Sequence, residues 1–246
     1  MEVSLMLTSF LKRTIRSLGF DLRRFNPENS DAAQFKLMLL THGVNLILDV
    51  GANVGQFGQS LRDLGFKGSI VSFEPLSEAR SQLLKTSEAD PKWDVAPQAA
   101  IGSEDGEIEI HIAGNSVSSS ILDMLDAHLS AAPDSVYVGS ERVPLRQLDS
   151  LAMDYIKHES VVFLKIDTQG YEDKVLNGAS YVLDRVVGLQ LELSLLPLYD
   201  AQVLLPKMLE RIESMGFDLW SLTSPIIDSR NGRFLQIDAI FFKSNK

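Results

Sequence analysis

The sequence predicts an α/β fold, a doubly wound and mostly parallel sheet that ends in an antiparallel hairpin. Three observations predict it. Short apolar runs alternate with helix-like segments from residue 31 onward. The runs at 46–50 and 161–167 are nearly continuous in apolar residues, as strands buried on both faces are. The last two runs, 217–222 and 235–243, have no helix between them and are joined through the tight-turn pair Asn231-Gly232.

The elements follow in order. Over Met1–Phe25, Leu7, Phe10, Leu11, Ile15 and Leu18 recur at helical spacing between Lys12, Arg13 and Arg16, with Arg23 and Arg24 after them. The charges follow the apolar residues and no small-residue cleavage site appears, so this is not a signal peptide. Two readings remain: a basic amphipathic helix in peripheral contact with an anionic membrane, or a helix packed on its own domain or on a second subunit of a homodimer. We favour packing. Asn26-Pro27-Glu28-Asn29-Ser30 breaks the chain, which divides it into an N-terminal helix and linker, 1–30, and one domain, 31–246.

Within the domain a helix over 31–42 closes at Gly43, and the strand 46–50 follows. A helix from Gln56 stops at Gly65, a strand covers 69–73, and Ser77 can cap a helix to 87. Residues 93–101 read as the third strand. Residues 106–112 alternate strictly, as a strand with one wet face does, and place His111 beside Glu107 and Glu109 on that face as a solvated side chain. The serine-rich stretch 115–120 opens a loop region, 115–143, and His128 lies in a helix there, where it can face the active site. His42 and His158 receive no role. The strand 161–167 leads through the turn 168–172 to a helix ending near 177; a strand at 186–192 and a helix at 202–215 precede the hairpin.

Composition sets bounds. The 246 residues, 45% hydrophobic and 23% charged, suffice for one sizeable core, and no run reaches membrane-span length. The absence of cysteine excludes disulfides, thiolate metal sites and cysteine nucleophiles, and fits a cytoplasmic location, with membrane association left open by the first 25 residues. A net charge of −10 argues against a nucleic-acid partner.

The chemistry centres on Leu46-Ile-Leu-Asp-Val-Gly-Ala-Asn-Val-Gly-Gln-Phe57, a buried strand running into a glycine-rich turn and a helix. Gly51 and Gly55 can adopt turn dihedrals and leave room for a bulky cofactor. A dinucleotide fingerprint would need glycine at 51, 53 and 56, where the chain has Gly51, Asn53 and Gln56. Asp49-x-Gly-x-Asn-x-Gly55 instead resembles the nucleoside-binding turn of class I S-adenosylmethionine (SAM) methyltransferases. Glu74, ending the next strand, stands where a carboxylate accepts ribose hydroxyls. Asp49, Glu74, Asp167 and Glu192 each end a strand and should ring one crevice, with a cation among them: the sulfonium and amino group of SAM, or a metal. No spacing diagnostic of a metal appears, and none is assigned.

Lys165-Ile-Asp-Thr-Gln-Gly-Tyr-Glu172 resembles the signature of FkbM-type SAM-dependent methyltransferases. Asp49-Val-Gly-Ala-Asn-Val-Gly55, Phe73-Glu-Pro75, Ala100-Ile-Gly102, Leu148-Asp149, Glu192-Leu-Ser194, Tyr199 and Gln236-Ile-Asp238 match its pattern in order, from about residue 30 to the C-terminus. Tyr171 departs from the small residue often found there. The resemblance implies the seven-stranded class I sheet, SAM as cofactor, and a small-molecule or glycan acceptor whose hydroxyl is methylated, often a sugar of a glycolipid, polysaccharide or secondary metabolite. It implies cofactor contacts from Asp49, Gly51, Ala52, Asn53, Gly55, Phe57, Glu74, Pro75, Ala100 and Ile101, and acceptor contacts from Gln169, Glu172 and Tyr199. Substrate pockets in this fold come from variable loops, here 115–143 and 194–200.

Methyl transfer needs alignment of oxygen, methyl and sulfur, and a base for the hydroxyl proton. Asp167, ending the central strand, is the first candidate and Glu192 the second; either can instead hold the amino group of SAM or a divalent cation. The rival readings are a SAM- or nucleoside-binding module without turnover and an NAD(P) oxidoreductase, the latter disfavoured by the missing third glycine.

Overall fold

The computed structural model describes residues 11–244. Residues 1–10, where the expected amphipathic helix begins, lie outside the described residues; 11–17 are helical. The described residues form two compact units, one ending at Thr41 and the other running from His42. Helix α1 (Asp31–Thr41) belongs to the first. Among the described residues no helix is long and apolar enough to cross a membrane.

The second unit holds the predicted sheet. Its strands are β1 (Leu46–Val50), β2 (Ser69–Phe73), β3 (Trp93–Val95), β7 (Val162–Ile166), β8 (Val186–Ser194), β9 (Phe217–Asp228) and β10 (Arg233–Lys243). They lie in the order β3-β2-β1-β7-β8-β10-β9. All pairings are parallel except those of β10, which runs antiparallel to β8 and to β9. Helices α2 (Gln56–Asp63) and α3 (Ser77–Ser87) follow β1 and β2, α6 (Glu172–Asn177) and α7 (Ser180–Arg185) follow β7, and α8 (Leu205–Ser214) follows β8. Every residue of β1 and β7 is buried, which is why both read as near-continuous apolar runs. They are neighbours although far apart in sequence. The chain leaves β1 toward β2 and leaves β7 toward β8, so their carboxyl ends open the crevice where such sheets bind ligands.

Three expectations need correction. The strand expected over 93–101 is two strands: β3 joins the main sheet, whereas β4 (Ala100–Ile101) pairs elsewhere. Pro97 between them has no N–H for a ladder bond and divides the run. The last part of the region expected as loop, 137–143, is strand. β6 (Tyr137–Arg146) pairs parallel with β4 and antiparallel with β5 (Gly106–Ala113), giving a separate three-stranded sheet. Gly139, Pro144 and the charges of β6 hide it in the sequence; its partners supply the ladder. Strand β9 continues past the expected 222 to Asp228 and carries Pro225, which an edge strand tolerates.

Two histidines are also better packed than the sequence suggested. His111 stacks on Tyr137 with ring centroids 4.8 Å apart and sits 3.4 Å from Asp123. His42 stacks on Phe242 at 3.8 Å.

The turn after β1 is locked to the chain after β7. Gly51 has φ +79°, and a Cβ there would lie 1.8 Å from the Asp167 carbonyl oxygen. Gly51→Ala is therefore expected to destabilise the protein by about 3 kcal/mol or more, the sum of left-handed strain and overpacking. Urea unfolding of the two proteins measures it; a loss below about 1 kcal/mol would refute the interlock.

Candidate active site

Three left-handed residues shape the turn after β1: Gly51 at φ +79°, Asn53 at +48° and Gly55 at +95°. Asparagine tolerates that conformation better than most residues, which accounts for Asn53 in a slot where glycine is otherwise expected. The two glycines act differently from expectation, however. The space beside Gly51 is filled by the Asp167 backbone, and the space beside Gly55 by Leu83, Thr86 and Trp93 at 3.0–3.2 Å. Both glycines let elements close on one another rather than leaving room for a cofactor, and Gly55 does not line the cavity described next.

That cavity, of about 310 Å³, opens at the carboxyl ends of β1, β2 and β7. Gly51, Ala52, Asn53, Phe57, Glu74, Pro75, Ala100 and Ile101 line it as expected, together with Asp167 and Gln169. Ser116, Val117, Ser119 and Ser120 of the serine-rich loop form a further wall. Glu74 is buried, and its two oxygens accept the backbone N–H groups of Asn53 at 2.8 Å and Leu76 at 2.9 Å. Burial pushes its carboxyl up to about 7 despite those two donors.

The expected ring of four acids is not one ring. Glu74 and Asp167 reach this cavity, Asp49 does not, and Glu192 borders a second cavity. Asp49 is completely buried beneath the floor, and its Oδ1 lies 3.2 Å from the Lys165 ammonium. Lys165 is also 3.4 Å from Asp167 Oδ2 and donates to the Gly51 carbonyl at 3.1 Å. The cation expected among the carboxylates therefore includes one that the chain supplies itself. Burial works against the charged ammonium, but Asp49 and Asp167 outweigh it and hold its pKa above the ordinary lysine value. Burial likewise raises Asp49, and Lys165 opposes the rise.

Sequence reasoning missed Lys165 as a functional residue. Its signal was present: a charged residue inside a buried strand, two positions before Asp167 and so on the same face. In the sheet it is also the register partner of Asp49. Asp238 was missed too. It lines the first cavity, sits opposite Glu192 in the β8–β10 register, and is pushed to about 7 by burial and then by Asp167.

The second cavity, of about 260 Å³, lies on the other side of Asp167 and Gln169, which border both. Gln169 has φ +54°. Its Nε2 donates to Asp167 Oδ1 at 2.8 Å and to Glu192 Oε2 at 2.6 Å, and its Oε1 accepts from the Tyr199 hydroxyl at 2.8 Å. Gln236 Nε2 donates to the same Glu192 oxygen at 2.9 Å. Burial, then Asp167 and Glu172, raise the Glu192 carboxyl well above its ordinary pKa.

Two residues expected to touch the acceptor do not line either cavity. Glu172 is buried and accepts from the backbone N–H groups of Thr168 at 2.9 Å and Gly170 at 3.1 Å, so it ties the turn together. Tyr199 has no exposed surface and orients Gln169. Among the described residues no group of three or more His, Asp or Glu is placed to hold a metal ion.

The family model of the methyltransferase FkbM domain matches residues 49–219. The chain belongs to the FkbM methyltransferase family. Its methyl donor is SAM. Comparison with curated protein sequences gives no match. The chain is also similar, at low identity, to solved structures of methyltransferases. A ribosomal protein L11 methylase from Lactobacillus delbrueckii subsp. bulgaricus is 11% identical, with 87% of this chain and 78% of that one covered and a TM-score of 0.45. A precorrin-6y C5,15-methyltransferase from Geobacter metallireducens is 13% identical, with 86% and 88% covered and a TM-score of 0.42.

The residues of the first cavity fit SAM. Asn53 Oδ1 is buried without a hydrogen-bond partner among the described residues, and each Glu74 oxygen has spare acceptor capacity beyond its one backbone amide. Ribose hydroxyls and an adenine amino group are donors of the kind these atoms lack. Phe57, Ala100 and Ile101 give apolar walls suited to a flat heterocycle.

Hydroxyl donors favour the ionised carboxylate, so binding should draw the Glu74 proton off. SAM affinity is expected to fall as pH drops from 8 to 6, through the raised pKa of about 7. Asp238 titrates near the same pH, so calorimetry on wild type and Glu74→Gln separates them. The variant should bind more weakly and lose most of the pH dependence; an unchanged dependence would exclude Glu74.

Proposed function

We propose that this chain is a SAM-dependent O-methyltransferase acting on a hydroxyl of a sugar, carried by a glycolipid, a polysaccharide or a secondary metabolite. The observation that carries the reading is the shared wall: Asp167 borders both cavities, so one carboxylate can face a donor on one side and an acceptor on the other. The described residues lining the second cavity include carboxylates and carboxamides but no lysine or arginine. Such a lining suits an uncharged polyol and disfavours a phosphate or carboxylate as the acceptor.

SAM supplies an electrophilic methyl group when bound. The chain's task is then alignment and proton removal. Asp167 takes the hydroxyl proton as the new C–O bond forms. Lys165 and Gln169 each hold one of its oxygens, at 3.4 and 2.8 Å, and so fix the carboxylate plane. Glu192 serves less well as a base, because its raised pKa favours the protonated form and two amide donors already occupy Oε2. It is better suited to donate a hydrogen bond to the acceptor.

The test is methyl transfer from labelled SAM to a panel of methyl glycosides. Asp167→Asn should lower kcat by about 100-fold or more while the SAM Kd moves by less than about threefold. Unchanged turnover in the variant would remove Asp167 as base. SAM binding by the wild type with no glycoside methylated would favour a module without turnover.

A further inference from the structure

One buried titratable side chain is left unused by this mechanism. His128, on α4 (Asp126–Ala131), is 6% exposed and lines the second cavity with Asp167, Gln169 and Glu192. Its ring packs edge-on against Tyr199 at 5.1 Å.

The direction of the Ser135 hydroxyl sets which ring nitrogen carries the proton. Ser135 Oγ accepts from Asn115 Nδ2 at 2.9 Å and donates its own proton to Ser118 Oγ at 3.1 Å. With that proton directed at Ser118, it accepts from His128 Nε2, 3.3 Å away. Nε2 is then the protonated nitrogen, and Nδ1 carries a bare lone pair. That Nδ1 is buried and has no partner among the described residues. Burial holds the imidazole below its ordinary pKa, so it stays neutral and keeps the lone pair. An unmet buried acceptor costs about 1–3 kcal/mol, a penalty that a ligand's donor would relieve.

We propose that His128 Nδ1 binds the methyl acceptor, accepting a hydrogen bond from a second hydroxyl that is not itself methylated. This rests on the O-methyltransferase reading and narrows it. The substrate class is then a polyol that presents two hydroxyls across one small cavity, one to Asp167 and one to His128. A molecule with a single hydroxyl would leave Nδ1 unmet and be a poor substrate.

Two substitutions separate acceptor binding from a structural role. Asparagine ends near the position of Nδ1, so His128→Asn keeps an acceptor there and loses the Ser135 contact. Glutamine reaches the position of Nε2, so His128→Gln keeps the Ser135 contact and loses the acceptor. With the glycoside that the wild type methylates best, His128→Gln should raise KM about tenfold or more, and His128→Asn by less than about threefold, with kcat and S-adenosylhomocysteine affinity little changed. The reverse order, or equal behaviour of the two, would overturn the proposal.

A second measurement does not depend on turnover or on the variants folding. Full-length protein with 15N-labelled histidine, saturated with S-adenosylhomocysteine, should show an unprotonated His128 Nδ1 resonance that shifts when methyl glucoside, galactoside, mannoside or rhamnoside is added. A protonated Nδ1, or no shift with any of the four, would overturn the proposal. If a glycoside shifts Nδ1 and none is methylated, the O-methyltransferase reading fails while the binding role of His128 stands.

Discussion

The site depends on a single buried ammonium. Lys165 stands on a central strand with Asp49, Asp167 and the Gly51 carbonyl around it. Burying a lysine alone is prohibitive, and the two carboxylates alone would repel. Together they are tolerated, and the arrangement joins β1, the turn after it and the end of β7. Apolar side chains could hold the same strands together equally well. They could not hold the Asp167 carboxylate in one orientation, which is what the proton transfer proposed for it requires.

Much of this architecture was legible in the sequence, and the legible parts share a physical origin. β1 and β7 are buried on both faces, so their apolar runs stand out, and the glycine-rich turn and strand-end acids follow them directly. The separate sheet of β4, β5 and β6 was not legible as such. β6 has a glycine, a proline and five charged or hydroxyl-bearing residues within ten, and its strand character comes from partners rather than from its own pattern.

Within the site, the acids were found but their division was not. Glu74 and Asp167 directly follow β2 and β7, whereas Asp49 and Glu192 lie inside β1 and β8, one and two residues before their ends, and so one lies under the floor and the other behind the wall. Strand alternation decides this, and a one-residue difference in where a strand ends changes which side a carboxylate faces. Gln169 was visible only as a motif member. Its importance comes from a left-handed backbone and contacts to Glu192 and Tyr199, 23 and 30 residues away in sequence. His128 was noticed as a histidine near the crevice, while the serine and asparagine chain that sets its tautomer joins residues up to 20 apart.

The close approach of Gly51 to the Asp167 carbonyl has a consequence for changing what the enzyme accepts. The turn after β1 and the proposed catalytic turn after β7 meet there backbone to backbone, with no side chain between them to yield. Replacing residues of the 167–172 turn to admit a new acceptor would press on the donor turn as well, and activity would be lost before selectivity was gained. The far wall of the second cavity, from α4 and from Ile226 and Leu235 of the terminal hairpin, carries no such obligation. Laboratory evolution of acceptor range has its free variables on that wall.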